Sequence, residues 1–463
     1  IFFWTRVVTL LLLEVLASQL VLWSHRYDPR FYKFLGTAPG KALSEIMEWP
    51  NLYNRMGTEK ALEDYSDEER RWKQNIESRL QLSWPTHTLH LQDGNSLNVR
   101  ILGATSSHLQ IREHFGGQGR LDRHLDKSEI RKISSFQEPI PDVSLRDIHF
   151  QMEHPEFTIT YSGNYTVLSD APYFQIASSV EALEHLHSQF LEIFPSLIRY
   201  PENRKDLQVL FFSNEKDYRE HQRKSAPGMD SSVGYYSPLE DRMVVFNQQY
   251  SERANKIRKG VQSDIETLLQ RATTDAQRKH VQRMQQHAEK QIRYRADMDT
   301  LATLRHEGVH HLLYTYGVHS WIHTENAWLI EGMACYFEAV IPGGPDRNYS
   351  ESLFRLLMQG RVPTVGELTA VRKPENFESN LPLVRSHESY ALSWSLIHFC
   401  MLEENREAFF QYLREVQSPE NISELMQQPR AGLLAEHLEL SLKDLNALWH
   451  QHIQLLATGK KPA

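Results

Sequence analysis

Apolar and polar positions along the 463-residue chain change their period several times, and each change predicts a different kind of element. Residues Val7 to Trp23, VVTLLLLEVLASQLVLW, form one mostly apolar run between Arg6 and the polar SHRYDPR. From Lys41 to Leu82 the chain turns polar. Charges three and four apart in EKALEDYSDEERRWKQNIESRL predict a solvated helix, which Trp84-Pro85 ends. A period of two follows. Leu89 and Leu91, then Leu97, Val99 and Ile101 after an Asp93-Gly94 turn, then Leu109 and Ile111, then Ile130 and Ile133, predict four or five short strands. Further on, FTITYSGNYTVLSDAP reads as two strands around Ser162-Gly163, and SSVEALEHLHSQFLEIF as an amphipathic helix. LQVLFF reads as a buried strand, and GYYSPLEDRMVVFN as a hairpin turning near Glu240-Asp241. Residues 251–300 are charged and Gln-rich, which predicts long helices inserted into this region. From Leu301 onward the chain reads as helical, with loops at IPGGPDRN and VRKPENFESNLP.

These periods predict an α+β chain in five parts. Residues 1–24 are a signal peptide or membrane anchor, 25–83 a polar helical spacer, and 84–134 a small all-β module resembling an SH3-like barrel. Residues 135–156 are a linker, and 157–463 are the main domain, with the helical insertion at 251–300. The apolar run at 7–23 is just long enough to span a bilayer, but Glu14 sits in its middle. Val15-Leu16-Ala17 equally suits cleavage of an export signal, so both fates stay open. Either one makes this an exported protein of the cell envelope. With 40% apolar and 24% charged residues, disorder and collagen-like chains are excluded. A net charge of −8 argues against a nucleic-acid partner. Cys335 and Cys400 are too few for a disulfide framework or a thiolate zinc cage.

Candidate chemistry sits between Arg305 and Glu338. His306-Glu307-Gly308-Val309-His310 is an H-E-x-x-H match, and residues four apart share a helix face, so both imidazoles can bind one metal. The 23 histidines of the chain make such a match less telling by itself. With twenty residues intervening after His310, the stretch NAWLIEGMACYFE offers Glu331. Two imidazoles and one carboxylate form a zinc set that leaves one position open. Glu338, seven residues after Glu331, shares its face and can accept from the far N–H of a ligand imidazole. His311, His319 and His323 read as bystanders, Glu325 as a rival third ligand, and Cys335 as a small buried residue.

HEGVH followed by WLIEGMACYFE resembles the gluzincin metallopeptidases of clan MA, and in particular the bacterial peptidase-MA-like domain-of-unknown-function family. The NYTVLSDAP segment, the GYY…VVF hairpin and the YALSWSLIHF helix extend the likeness over about residues 157–449. The resemblance implies a zincin-like fold with one Zn2+ per chain and a peptide or protein substrate. It implies hydrolysis with Glu307 as the base, and Tyr390 or His387 donating to the oxyanion. It further implies that Met243 to Phe246 is the edge strand that aligns substrate. The alternative is an inactive or non-peptidase zincin that serves as a binding or scaffold protein.

Overall fold

Ser66 starts the first described helix, α1 (Asp67–Ser83), through a capping box in which Ser66 and Glu69 satisfy one another's backbone N–H. The computed structural model describes residues 65–114, 120–199, 207–226, 232–238, 240–319, 326–416 and 430–459. The apolar run at 7–23 and most of the expected spacer lie outside them. Among the described residues no helix is long and apolar enough to cross a membrane. Contacts divide the chain into two units, one holding 65–193 and 207–311 and the other 194–199 and 312–459.

In the first unit, the period-two region forms a five-stranded antiparallel sheet in the order β4-β3-β2-β1-β5. Its strands are β1 (His87–Leu91), β2 (Ser96–Ala104), β3 (His108–His114), β4 (Arg120–Asp126) and β5 (Ile130–Ser135). Leu89, Val99, Leu109, Ile111 and Leu125 point into its own small core, as the alternation requires. The helix ahead of it is not a free spacer. Trp72, Ile76 and Leu80, each four apart, form an apolar stripe under the charges, and all three join a core cluster reaching Phe212 and Val244. Arg100 ties the sheet to this helix, donating from Nη2 to the Gln81 carbonyl at 2.6 Å.

The stretch expected to be a linker also folds. Ser144 and Asp147 make a capping box for α2 (Leu145–Glu153), whose Ile148 and Phe150 are fully buried in the same cluster. The S-x-x-D start at Ser144 follows directly on the Pro139 and Pro141 breaks, whose composition reads as a linker.

A second, mixed sheet follows in the order β6-β7-β8-β10-β9. It contains β6 (Thr158–Tyr161), β7 (Tyr165–Ser169), β8 (Leu207–Phe212), β9 (Gly234–Ser237) and β10 (Arg242–Phe246). Helix α3 (Tyr173–Ile193) links β7 to β8, which pair in parallel, and α4 (Glu215–Ser225) leads from β8 toward the hairpin. The expectation that Met243 to Phe246 forms the edge is overturned: β10 pairs with β8 on one side and β9 on the other, so β9 is the edge. All of β10 is buried, and a strand covered on both sides reads as a continuous apolar run.

The charged region becomes α5 (Glu252–Arg271) and α6 (Asp275–Thr315). Residues 275–300 are therefore not a separate insertion but the first part of the 41-residue helix that carries the H-E-x-x-H motif.

The second unit is helical. It contains α7 (Ala327–Glu338), α8 (Arg347–Met358), the short α9 (Val365–Thr369) and α10 (Phe377–Asn380), and α11 (Ser386–Cys400). Helices α12 (Arg406–Val416), α13 (Arg430–His437) and α14 (Leu442–Thr458) complete it. Trp328, Trp394, Tyr412 and Trp449 fill its core. A Cβ on Gly332 would lie 2.6 Å from the Ser393 carbonyl, so α7 and α11 touch backbone to backbone.

Candidate metal centre

His306 and His310 lie one turn apart near the end of α6, with ring centroids 4.9 Å apart and planes at 82°. The helix stops soon after them. Gly317 takes φ 62°, the left-handed conformation that suits glycine at a helix end, and the Tyr316 N–H donates to the Leu312 carbonyl. Tyr314, one turn beyond His310, is held well above the usual phenol range by burial and then by the Glu331 carboxylate. Glu331 lies in the second turn of α7 and is buried, as is His310, while His306 is half-buried. Among the described residues, His306, His310 and Glu331 make a donor set that could hold a metal ion. Two imidazoles and one carboxylate, carried on helices, are donors of the kind that bind a transition-metal ion.

His306 belongs to a second such group, with Cys335 and Glu338. Here the sequence reading missed a residue. The Tyr349 hydroxyl sits 2.9 Å from both Glu338 oxygens and 3.1 Å from the Cys335 sulfur. Burial, Cys335 and Glu338 keep that phenol protonated, so it donates to the carboxylate. Nothing in the spacing from Glu338 to Tyr349, eleven residues across a turn, announces this contact.

Glu307 points to a different side of α6 from the histidine pair. A Cβ built on Gly234 of β9 would lie 3.2 Å from the Glu307 Cγ and 2.6 Å from the Thr303 Cγ2. Only a residue without a side chain lets the edge strand pass so close to this carboxylate. On another side of α6, a Cβ on Gly308 would lie 2.7 Å from the Leu186 Cδ2 and 3.3 Å from the Leu183 Cδ2 of α3, so the two helices pack closely there.

His311 does face away from the His306–His310 stripe, but it is no bystander. Fully buried, it stacks on Tyr236 with centroids 4.8 Å apart, and its Nε2 lies 3.3 Å from the Asp241 Oδ1. His319 is buried beside Tyr314 and lines a small apolar hole with Leu313, Met333 and Leu413. His323 and Glu325 lie outside the described residues. His387 is exposed on the first turn of α11. Tyr390 is half-buried there, against Phe377 and one turn before the Ser393 contact with Gly332.

Residues 300–421 match the profile of a family described as "Protein of unknown function (DUF1570)". That span takes in both halves of the ligand set. No curated protein matches the chain.

Proposed function

We propose that the protein is a zinc-dependent peptidase of the gluzincin type, acting in the bacterial cell envelope on peptide or protein substrates. The observation that carries this reading is the His306–His310 pair one turn apart on α6, ring centroids 4.9 Å apart, with Glu307 on the neighbouring face of the same helix and Glu331 as the third donor of the candidate set. Zinc bound there would supply Lewis-acid activation of water and polarisation of the scissile carbonyl. The chain's own residues supply the rest. The Glu307 carboxylate takes the proton of the attacking water and passes it to the leaving amine. Glu338, whose carboxylate accepts from the Tyr349 hydroxyl, is the expected acceptor for the far N–H of a ligand imidazole. The Tyr390 hydroxyl donates to the developing oxyanion; exposed His387 is the weaker donor, because solvent competes for it. Strand β9, with one side unpaired in the sheet, offers backbone donors and acceptors to an extended peptide. The mixed sheet above the motif helix supports a zincin-like fold, and the five-stranded module at 87–135 supports an SH3-like contact domain.

Metal analysis and a protease assay test this together. Purified protein should carry close to one zinc per chain, and His306→Ala should lose it. Glu307→Gln should keep zinc and melt within a few degrees of wild type, yet lose casein hydrolysis by about 10² or more. Zinc-loaded wild type that cleaves nothing in a broad peptide library would turn the reading toward a binding protein. Hydrolysis that survives Glu307→Gln would sink the mechanism.

A further inference from the structure

Thr303, Glu307 and His311 follow one another at intervals of four on α6, and so form one stripe along the helix. Strand β9 lies against that stripe. Gly234 is placed over Thr303 and Glu307, and Tyr236 stacks its ring on His311 at an interplanar angle of 27°. The two spacings match. Two strand residues advance about 6.6 Å and four helical residues about 6 Å, so strand and helix keep step over this interval. At the end of the stripe sits the turn residue Asp241, with φ 49° and almost no exposure. Its Oδ1 accepts from the Tyr236 hydroxyl at 2.9 Å and faces the His311 Nε2 at 3.3 Å. Arg146 donates to the Asp241 Oδ2 at 3.2 Å and to its backbone carbonyl at 2.7 Å. On another side of the same helix, Gly308 packs closely against Leu186 and Leu183 of α3.

We propose that His311 is a positioning residue for Glu307: held between the Tyr236 ring and the Asp241 carboxylate, it locks α6 in register with edge strand β9. The general base is thereby kept beside the strand along which a peptide would be bound. This role rests on the hydrolytic reading above. It is separate from metal binding, because the stripe at 303, 307 and 311 is not the stripe at 306 and 310.

The test uses the full chain loaded with zinc and compares wild type, His311→Ala, His311→Gln and Asp241→Asn. His311→Ala should retain one zinc per chain and a KM within roughly 3-fold of wild type, while kcat falls by about 10–100-fold, since displacing a catalytic group by an ångström costs that much. His311→Gln, which can still donate toward Asp241, should recover most of the loss. Asp241→Asn keeps the shape and weakens the grip, so it should show a smaller fall in kcat; it also serves if His311→Ala fails to fold. A purely structural role would lower the melting temperature and leave kcat and KM of the folded protein unchanged, which would overturn the proposal. Amide hydrogen exchange decides the matter without any hydrolysis. Residues 234–237 should exchange at least ~10-fold faster in His311→Ala and Asp241→Asn, with β8 unaffected. Wild type that cleaves nothing would defeat the hydrolytic reading, whereas unchanged exchange in β9 would defeat the grip itself.

Discussion

Tyr349 concentrates three contacts on one hydroxyl, and its removal is the most direct probe of how His306 is held. With the phenol gone, the Glu338 carboxylate loses its donor and the Cys335 sulfur loses its neighbour. Tyr349→Phe should keep the fold and weaken zinc affinity by about 10-fold. Glu338→Ala, which removes the carboxylate itself, should weaken it by about 10–100-fold. Competition with a chromogenic chelator measures both, and equal affinity in all three proteins would detach Glu338 and Tyr349 from the metal. At this scale the sequence was most readable where spacing alone determines a shared face. His306, His310 and Glu307 follow from the motif, and Glu338 follows from its seven-residue interval. Asp241, Tyr236 and Tyr349 were not legible, because each reaches its partner only after a turn or a second helix has folded back.

Glycines show what happens when one element must approach another. Gly332 follows Glu331 immediately, and α11 meets it backbone to backbone at Ser393, where a methyl group would stand 2.6 Å from a carbonyl oxygen. The Glu-Gly pair in WLIEGM is thus a packing requirement as well as a motif: the ligand helix must lie flush on α11. Gly332→Ala should therefore destabilise the chain by about 1–3 kcal/mol, the usual cost of forcing extra volume into a tight contact. Gly260 is the opposite case. Exposed within α5 and with nothing near its missing Cβ, it only adds freedom to the unfolded chain. Gly260→Ala should stabilise by roughly 0.5–1 kcal/mol. Urea midpoints separate the two, and the same sign for both would show that the packing at Gly332 is misread. The edge strand teaches the same lesson at element scale. The resemblance implies MVVF as the edge strand, but β8 pairs with it on one side and β9 on the other, and both of its faces are covered.

At the scale of the molecule, four buried or half-buried histidines among the described residues tie stability to pH. Burial, reinforced by His154, Arg242 and Lys224, pushes His221 down to about 4. Burial and its neighbour His398, whose Nδ1 lies 3.0 Å from the His452 Nε2, push His452 down to about 4. His154 and His398 are lowered as well, chiefly by burial. Each is therefore neutral in the folded chain where the unfolded chain, titrating near 6.5, already binds a proton. Stability from this source is complete above pH ~6.5 and is lost as pH falls toward 4. Thermal melts of metal-free protein should drop steadily over that window, and His221→Leu should flatten the slope. A slope unchanged in His221→Leu would remove that histidine from the account. None of these couplings is visible along the chain, because desolvation depends on what surrounds a ring in three dimensions. Local periodicity was enough to specify the strands at 87–135, the β9–β10 hairpin and the motif helix, since side-chain facing repeats every two or 3.6 residues and needs no partner. Strand order, the burial of α1 and α2, and the grip of Asp241 and Tyr236 on His311 were settled only by the tertiary fold. Each joins segments distant in the chain, and which distant surfaces meet is decided by the packing of the whole core.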